Sequence, residues 1–166
     1  MKYIGPKERV DAARSLETST EDLAMLSTSD DIFVRAAVAQ NPRAPIQVLN
    51  SFAERLLETE KDWEIAANLA ENPKLQTETL LKLMKSVLKC SINISPRDYY
   101  SNRTIIAASR SDAANYEIMS MLSNPKYIPN FLRYKLLQID SRQEFVKLLL
   151  KDPSEKIRKR ASHVLK

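Results

Sequence analysis

The sequence predicts an all-α fold in which about five short helical repeats stack as an α-solenoid, and three observations predict it. Apolar residues recur at three- and four-residue spacings along nearly the whole chain, alongside Leu, Ala, Glu, Lys and Arg, while two-residue alternation is scarce. The stretch AAVAQNPRAPIQVL, Ala36 to Leu49, returns as AANLAENPKLQTETLL, Ala66 to Leu81. An Ala-rich helix that stops at Asn-Pro and restarts a few residues later is a repeat unit. From Pro42, Pro73 and Pro125 the next strongly apolar helical position lies seven residues on, at Leu49, Leu80 and Leu132, and Ser111 to Ile118 keeps that spacing without the proline.

In chain order the pattern places helices near 6–16, 20–27, 30–40, 45–58, 61–71, 76–90, 102–110, 112–123, 128–139, 141–150 and 153–165. Ser19 ahead of Asp22, and Thr28 ahead of Asp31, put a hydroxyl where it can accept from an unpaired N–H and an acid where the helix dipole is positive. Pro45, Pro129 and Pro153 suit first-turn positions, where a missing N–H has no partner to lose. With Gly5 as the one glycine, helices cannot end in the usual left-handed glycine cap. Asn41-Pro42, Asn72-Pro73 and Asn124-Pro125 end them instead: each proline pushes its Asn out of the α region, and the Asn amide can bond backbone groups left open at the turn.

Leu23, Leu49, Leu80 and Leu132 define a period near 26 residues, with an insertion at Ser51 to Lys61 that lengthens a helix. Val34, Ala37, Ala67, Leu80 and Leu132 are expected in the core. The clearest break, SINISPRDYYSNR from Ser91 to Arg103, reads as a hinge or a recognition loop. The expected organisation is one domain over 1–166, with acidic repeats in 1–90, a loop at 91–103 and basic repeats in 104–166.

The 166 residues are 43% hydrophobic, enough for a continuous core and too apolar for a disordered chain. Cys90 is the one cysteine, so neither an intrachain disulfide nor a cysteine metal cluster can form within one chain. No apolar signal region opens the sequence and no run approaches 18 apolar residues. The reading is a cytoplasmic protein outside any membrane.

The net charge of +5 conceals an asymmetry. Residues 1–83 carry 10 basic against 14 acidic side chains, a net −4, whereas residues 84–166 carry 16 against 7, a net +9. A basic surface of this kind concentrates phosphates or acidic proteins near it.

Catalytic constellations are absent from the pattern. His163 is the one histidine and reads as an ordinary helix residue; Cys90 reads as a small buried hydrophobe, with a reactive thiol as its alternative. The acidic runs Glu17 to Asp22, Asp30-Asp31 and Glu58 to Glu64 fall at predicted helix starts, where capping explains them. A single glycine excludes phosphate-cradling glycine loops, and no GxSxG or HExxH occurs. Trp63 aligns with Phe33 after a one-residue shift and reads as core, with ligand stacking as the alternative.

Tyr99, Tyr100, Tyr116, Tyr127 and Tyr134 lie among Arg97, Arg103, Arg110, Lys126, Arg133 and Lys135. Such interleaving suits single-stranded nucleic acid, a protein interface, or half-buried tyrosines beside solvated cations. In the run KIRKR, Lys156, Lys159 and Arg160 share one helical face, a solvated cationic one, while Ile157 and Ala161 mark the buried stripe.

The pattern DIFVRAAVAQNPRAPIQVL followed by WEIAANLAENPKLQTETLL resembles the leucine-rich repeat variant family, whose repeats centre on VRxAVAxNPxxPxxxL. That resemblance implies HEAT-like repeats in a right-handed superhelix, and the tail DPSEKIRKRASHVLK, with Ile157-Arg158 and Ala161, is similar to a HEAT repeat as well. The cysteine cluster that holds an iron–sulfur centre in one member type has no counterpart here, so no cofactor is expected. Some DNA glycosylases share the basic, all-helical character at the level of fold alone.

The functional expectation is a non-enzymatic interaction module that binds an acidic partner, a protein before a nucleic acid. The alternative is DNA binding or base excision of the helical-repeat glycosylase type. Arg97, Tyr99, Tyr100, Arg103, Arg110, Lys126, Arg133, Lys135, Lys156, Lys159 and Arg160 are the expected partner-binding residues.

Overall fold

The computed structural model describes residues 5–58, 62–90, 103–107, 116–139 and 142–165, and every regular element among them is helical. The helices are α1 (Pro6–Arg14), α2 (Thr20–Leu26), α3 (Ile32–Gln40), α4 (Ile46–Glu58), α5 (Trp63–Ala70), α6 (Thr77–Cys90), α7 (Tyr116–Ser123), α8 (Asn130–Ile139), α9 (Gln143–Leu149) and α10 (Glu155–Val164), with a helical stretch at 103–107. The expected helices recur within the described residues, those with both ends described being one to three residues shorter. The chain divides into two compact units, Met1–Leu83 and Met84–Lys166. The division falls within α6, at the point where the charge changes sign.

In the first unit α3 packs against α1, α2, α4 and α5. Its sequence IFVRAAVAQ explains this, since Ala36, Ala37 and Ala39 are buried and their small side chains let neighbouring helices approach. On α4, Leu49, Phe52, Ala53 and Leu56 recur at helical spacing and are buried on one face. They join Leu23, Val34, Ile65 and Leu69 in one core, where each large apolar side chain contributes about 1.5–3 kcal/mol. Val34, Ala37, Ala67, Leu80 and Leu132, the expected core residues, are all buried.

The helix starts follow local chemistry. Ser19 caps α2, its hydroxyl accepting from the Asp22 N–H at 3.1 Å. At α3 the cap is Asp31, accepting from Phe33 N–H at 2.9 Å; Thr28, expected to cap, donates instead to the Met25 carbonyl at 2.9 Å. Asp62 occupies the corresponding place before α5 without capping it. Its carboxylate meets Arg35 Nη2 at 3.3 Å, so one of the acids read as a cap ties two helices together.

The helix ends carry the main architectural device. Asn41 ends α3 in extended backbone, φ −67° and ψ 122°, as the following proline requires. No described residue has a positive φ, so left-handed caps are not in use. Asn41 Oδ1 accepts from Arg43 N–H at 2.8 Å, closing a local turn. Its amide nitrogen donates to the carbonyls of Ala13 and Ser15, at 2.8 and 3.0 Å, which lie at the end of α1. Asn72 repeats the arrangement two helices later, after α5. Its Oδ1 accepts from Lys74 N–H at 2.9 Å, and its amide nitrogen donates to the carbonyls of Ala39 and Asn41, at 2.8 and 2.9 Å.

The last carbonyls of a helix lack partners within it, and each asparagine supplies a donor to the helix two before its own, Asn41 to α1 and Asn72 to α3. The cation two residues on adds a further bond to the preceding turn: Arg43 Nη1 to the Leu16 carbonyl at 2.6 Å, Lys74 Nζ to that of Ala44 at 3.4 Å. Ser15 is the first rung, with the same extended cap and a hydroxyl accepting from Glu17 N–H at 3.1 Å.

In the second unit α9 packs on α7 and α10, and α10 packs on α8. Phe145, Val146, Leu149, Leu132, Leu136, Ile157 and Ala161 are buried. Asn124 keeps the local turn, accepting from Lys126 N–H at 2.9 Å. At Asp152-Pro153 the asparagine is replaced by an acid that keeps the turn, accepting from Ser154 N–H at 2.8 Å, and has no hydrogen to donate.

Candidate functional site

Arg133 and Asp152 have side chains that are fully buried, and they form a two-pronged ion pair: Nε to Oδ2 at 2.7 Å and Nη2 to Oδ1 at 3.0 Å. The remaining donors of Arg133 reach the Ile128 carbonyl and, at 2.7 Å, Asn130 Oδ1. The guanidinium is consumed by the fold. This corrects the expectation for Arg133, whose place among tyrosines and cations in sequence suggested a partner-binding residue and whose position on the inner face of α8 makes it a structural one.

The other expected residues divide by exposure. Lys126, Lys135, Lys156, Lys159 and Arg160 are exposed, whereas Arg103 is half-buried and already engaged by a neighbour. Arg97, Tyr99, Tyr100 and Arg110, with the greater part of the expected 91–103 loop, lie outside the described residues. The Lys156 ammonium stands 4.7 Å from the centre of the Tyr134 ring and joins α10 to α8. Lys126 covers its neighbour Tyr127 at 5.7 Å. Lys159 pairs with Glu155 one turn earlier, at 2.7 Å.

Lys147 on α9 and Lys151, two residues past its end, are both exposed and were not among the expected residues. With Glu144, Leu148 and Leu150 they line a shallow depression. Their four-residue spacing in VKLLLK was a readable signal, masked by the apolar residues between them. Among the described residues Lys135, Lys147, Lys151 and Arg160 have no ionic partner.

The first unit treats its cations differently. Arg35 donates from Nη1 to the carbonyls of Ser29 and Asp30, at 2.8 and 2.9 Å, as well as pairing with Asp62. Arg43 and Lys74 serve the asparagine rungs, and Lys82 pairs with Glu78 at 2.9 Å. Lys7 and Arg14 of the first unit are exposed without an ionic partner among the described residues, so the contrast between the units is one of degree.

Trp63 is half-buried against the core of the first unit. Counting back nine residues from Asn72 and from Asn41 pairs it with Ile32, also packed against the core, and not with Phe33, which is 59% exposed. The rungs therefore align the two repeats with no shift. Among the described residues no group of three or more His, Cys, Asp or Glu side chains could hold a metal ion, and no helix is long and apolar enough to cross a membrane.

No protein-family model matches this chain, and no curated protein and no solved structure matches it either.

Proposed function

We propose that the chain is a cytoplasmic, non-enzymatic interaction module, a right-handed α-solenoid of about five HEAT-like or leucine-rich-repeat-variant-like repeats, whose basic second unit binds an acidic protein. The observation that carries this reading is the set of exposed cations in that unit with no ionic partner among the described residues, Lys135, Lys147, Lys151 and Arg160, against a first unit in which Lys7 and Arg14 stand so while Arg35, Arg43 and Lys82 are bonded within the unit. Unneutralised charge at the surface is what raises encounter rates with an oppositely charged partner.

Two further observations support repetition. The rungs Ser15, Asn41 and Asn72 stand 26 and 31 residues apart in the same hydrogen-bonded register. Arg158 donates to the carbonyls six and five residues before it, Asp152 and Pro153, at 2.7 and 2.9 Å, as Arg35 does to Ser29 and Asp30.

A protein partner is favoured over single-stranded nucleic acid because Tyr127 and Tyr134 each have one ring face covered by a lysine of the same unit, which leaves at most one face of each for a base to stack on. Base excision would need an aromatic and a carboxylate in a basic groove. Trp63 instead packs against the core of the acidic unit, and Glu155 is neutralised by Lys159.

The test is fluorescence anisotropy with a labelled glutamate-rich peptide and labelled single-stranded and duplex oligonucleotides, each over a salt series. Binding of the peptide that weakens with salt and exceeds that of the oligonucleotides is expected. Absence of binding to all three probes at low salt would remove the reading.

A further inference from the structure

The exposed face of α10, carrying Lys156 and Arg160, stands at the place in the repeat that Phe33 and Ala37 take on α3. Arg35 and Arg158 fix this register, since each is four residues past its helix cap and each reaches back to carbonyls five and six residues earlier. With those arginines aligned, Val34 and Val38 match Ile157 and Ala161, all buried, and Phe33, Ala37 and Gln40 match Lys156, Arg160 and His163. On α3 this row is apolar or neutral, and Gln40 reaches Glu71 on the next repeat at 3.4 Å. On α10 the same row carries two cations, Lys156 and Arg160, and all three of its residues are exposed.

We propose that this row is a docking face for a carboxylate-rich segment of a partner protein, a proposal that rests on the interaction reading above and narrows it to one helix. Glu155, the acid nearest to Lys156 in sequence, is bound to Lys159, so Arg160 stays without an ionic partner and Lys156 with the ring of Tyr134 alone. The exposed cations among the described residues of the second unit are lysines except for Arg160. Both side chains of the row can pair with carboxylate oxygens, Lys156 as a point charge and Arg160 through its planar fork. The Tyr134 ring, with Lys156 on it, buttresses that ammonium and is closed to a base on that side.

The experiment compares two charge reversals of equal size in the full chain. K156E/R160E alters the proposed row, and K147E/K151E alters another exposed pair, on α9 and in the turn that follows it. Each is titrated against a fluorescein-labelled peptide of alternating glutamate and alanine, and against a single-stranded oligonucleotide of the same net charge, at low salt. K156E/R160E should weaken peptide binding about tenfold and K147E/K151E by no more than about threefold, the range that a few exposed charge pairs span. Arg160→Gln, which leaves the Lys156–Tyr134 contact in place, should weaken it in the same direction by less.

Equal losses from the two double variants, or no loss from Arg160→Gln, overturn the proposal while leaving an acidic-partner module intact. Tighter binding of the oligonucleotide with the same dependence on Lys156 and Arg160 overturns the carboxylate assignment. If the unaltered protein binds neither probe, the interaction reading itself fails.

Discussion

The amide nitrogen of Asn72 donates to the main-chain carbonyl of Asn41 at 2.9 Å, and Asn41 makes the same bond to Ser15 at 3.0 Å. Asn41 is donor in one step and acceptor in the next, so the ends of α1, α3 and α5 are linked in a chain of bonds. The geometry accounts for the Asn-Pro-cation motif as a whole. Proline holds the asparagine in extended backbone, its amide meets the end of the helix two before its own, and the Arg or Lys two residues on bonds a carbonyl beyond that end, Leu16 or Ala44.

Removing one rung exposes the carbonyls beneath it without supplying a replacement donor. Asn72→Ala should destabilise the protein by about 2–3 kcal/mol, the cost of leaving buried acceptors unpaired. Asn72→Asp keeps the Lys74 turn and should cost at least as much, because a carboxylate oxygen then faces two carbonyl oxygens. Asn124→Ala is the comparison: Asn124 is half-buried and bonds only Lys126 N–H among the described residues, so it should cost under about 1 kcal/mol. Urea titrations followed by Trp63 fluorescence and by circular dichroism separate the two cases.

The same register assigns Phe33 to the surface and Trp63 to the packed edge of the core. Phe33→Ser should therefore change stability by no more than about 0.5 kcal/mol, whereas Trp63→Ala should cost about 3 kcal/mol or more. A large loss at Phe33, measured by thermal unfolding, would mean that the ring is buried against something.

Much of this was legible in the chain. Helical periodicity alone gave the elements and the buried Val34, Ala37, Ala67, Leu80 and Leu132, because those features follow from local spacing. The Asn-Pro signal gave the helix ends, yet it could not give the rungs, since Asn41 meets Ala13 and Ser15 across 26 to 28 residues and local propensity carries no information on such a pairing. Composition misled at Arg133 for a related reason. Charge and aromatic neighbours look alike whether a guanidinium faces water or a buried carboxylate, and Asp152 lies 19 residues away. The switch from asparagine to aspartate in Asp152-Pro153 was the available clue, because an acid at a rung cannot donate and needs a cation in place of a carbonyl.

Two surface carboxylates give the stability a direction in pH. The ammonium of Lys82 holds Glu78 below its ordinary value of 4.5 by a hydrogen bond and by its charge. Glu21 is lowered mainly by its own backbone N–H and next by the Thr20 hydroxyl. A carboxylate with a depressed value in the folded state stabilises the fold above its unfolded value, and that contribution disappears as pH falls through the folded one. The difference in melting temperature between the unaltered protein and Glu78→Gln should therefore be small and constant above about pH 5.5 and vanish by about pH 3. Because the Lys82–Glu78 pair is exposed, ~0.5 M salt should shrink it at neutral pH as well.

The Arg133–Asp152 pair should behave in the opposite way to the surface pairs, insensitive to salt and costly to halve. Arg133→Met leaves a carboxylate buried, and Asp152→Asn leaves a guanidinium buried while preserving the turn to Ser154. Each should cost about 3–5 kcal/mol, since the penalty is that of an uncompensated charge away from water. The double variant R133M/D152N should lose much less than the sum, because neither charge then remains and the asparagine can still accept from Ser154 N–H. A double-mutant cycle by chemical denaturation measures the coupling directly. A coupling energy under about 0.5 kcal/mol would place Arg133 in water and return it to the set of cations a partner can reach.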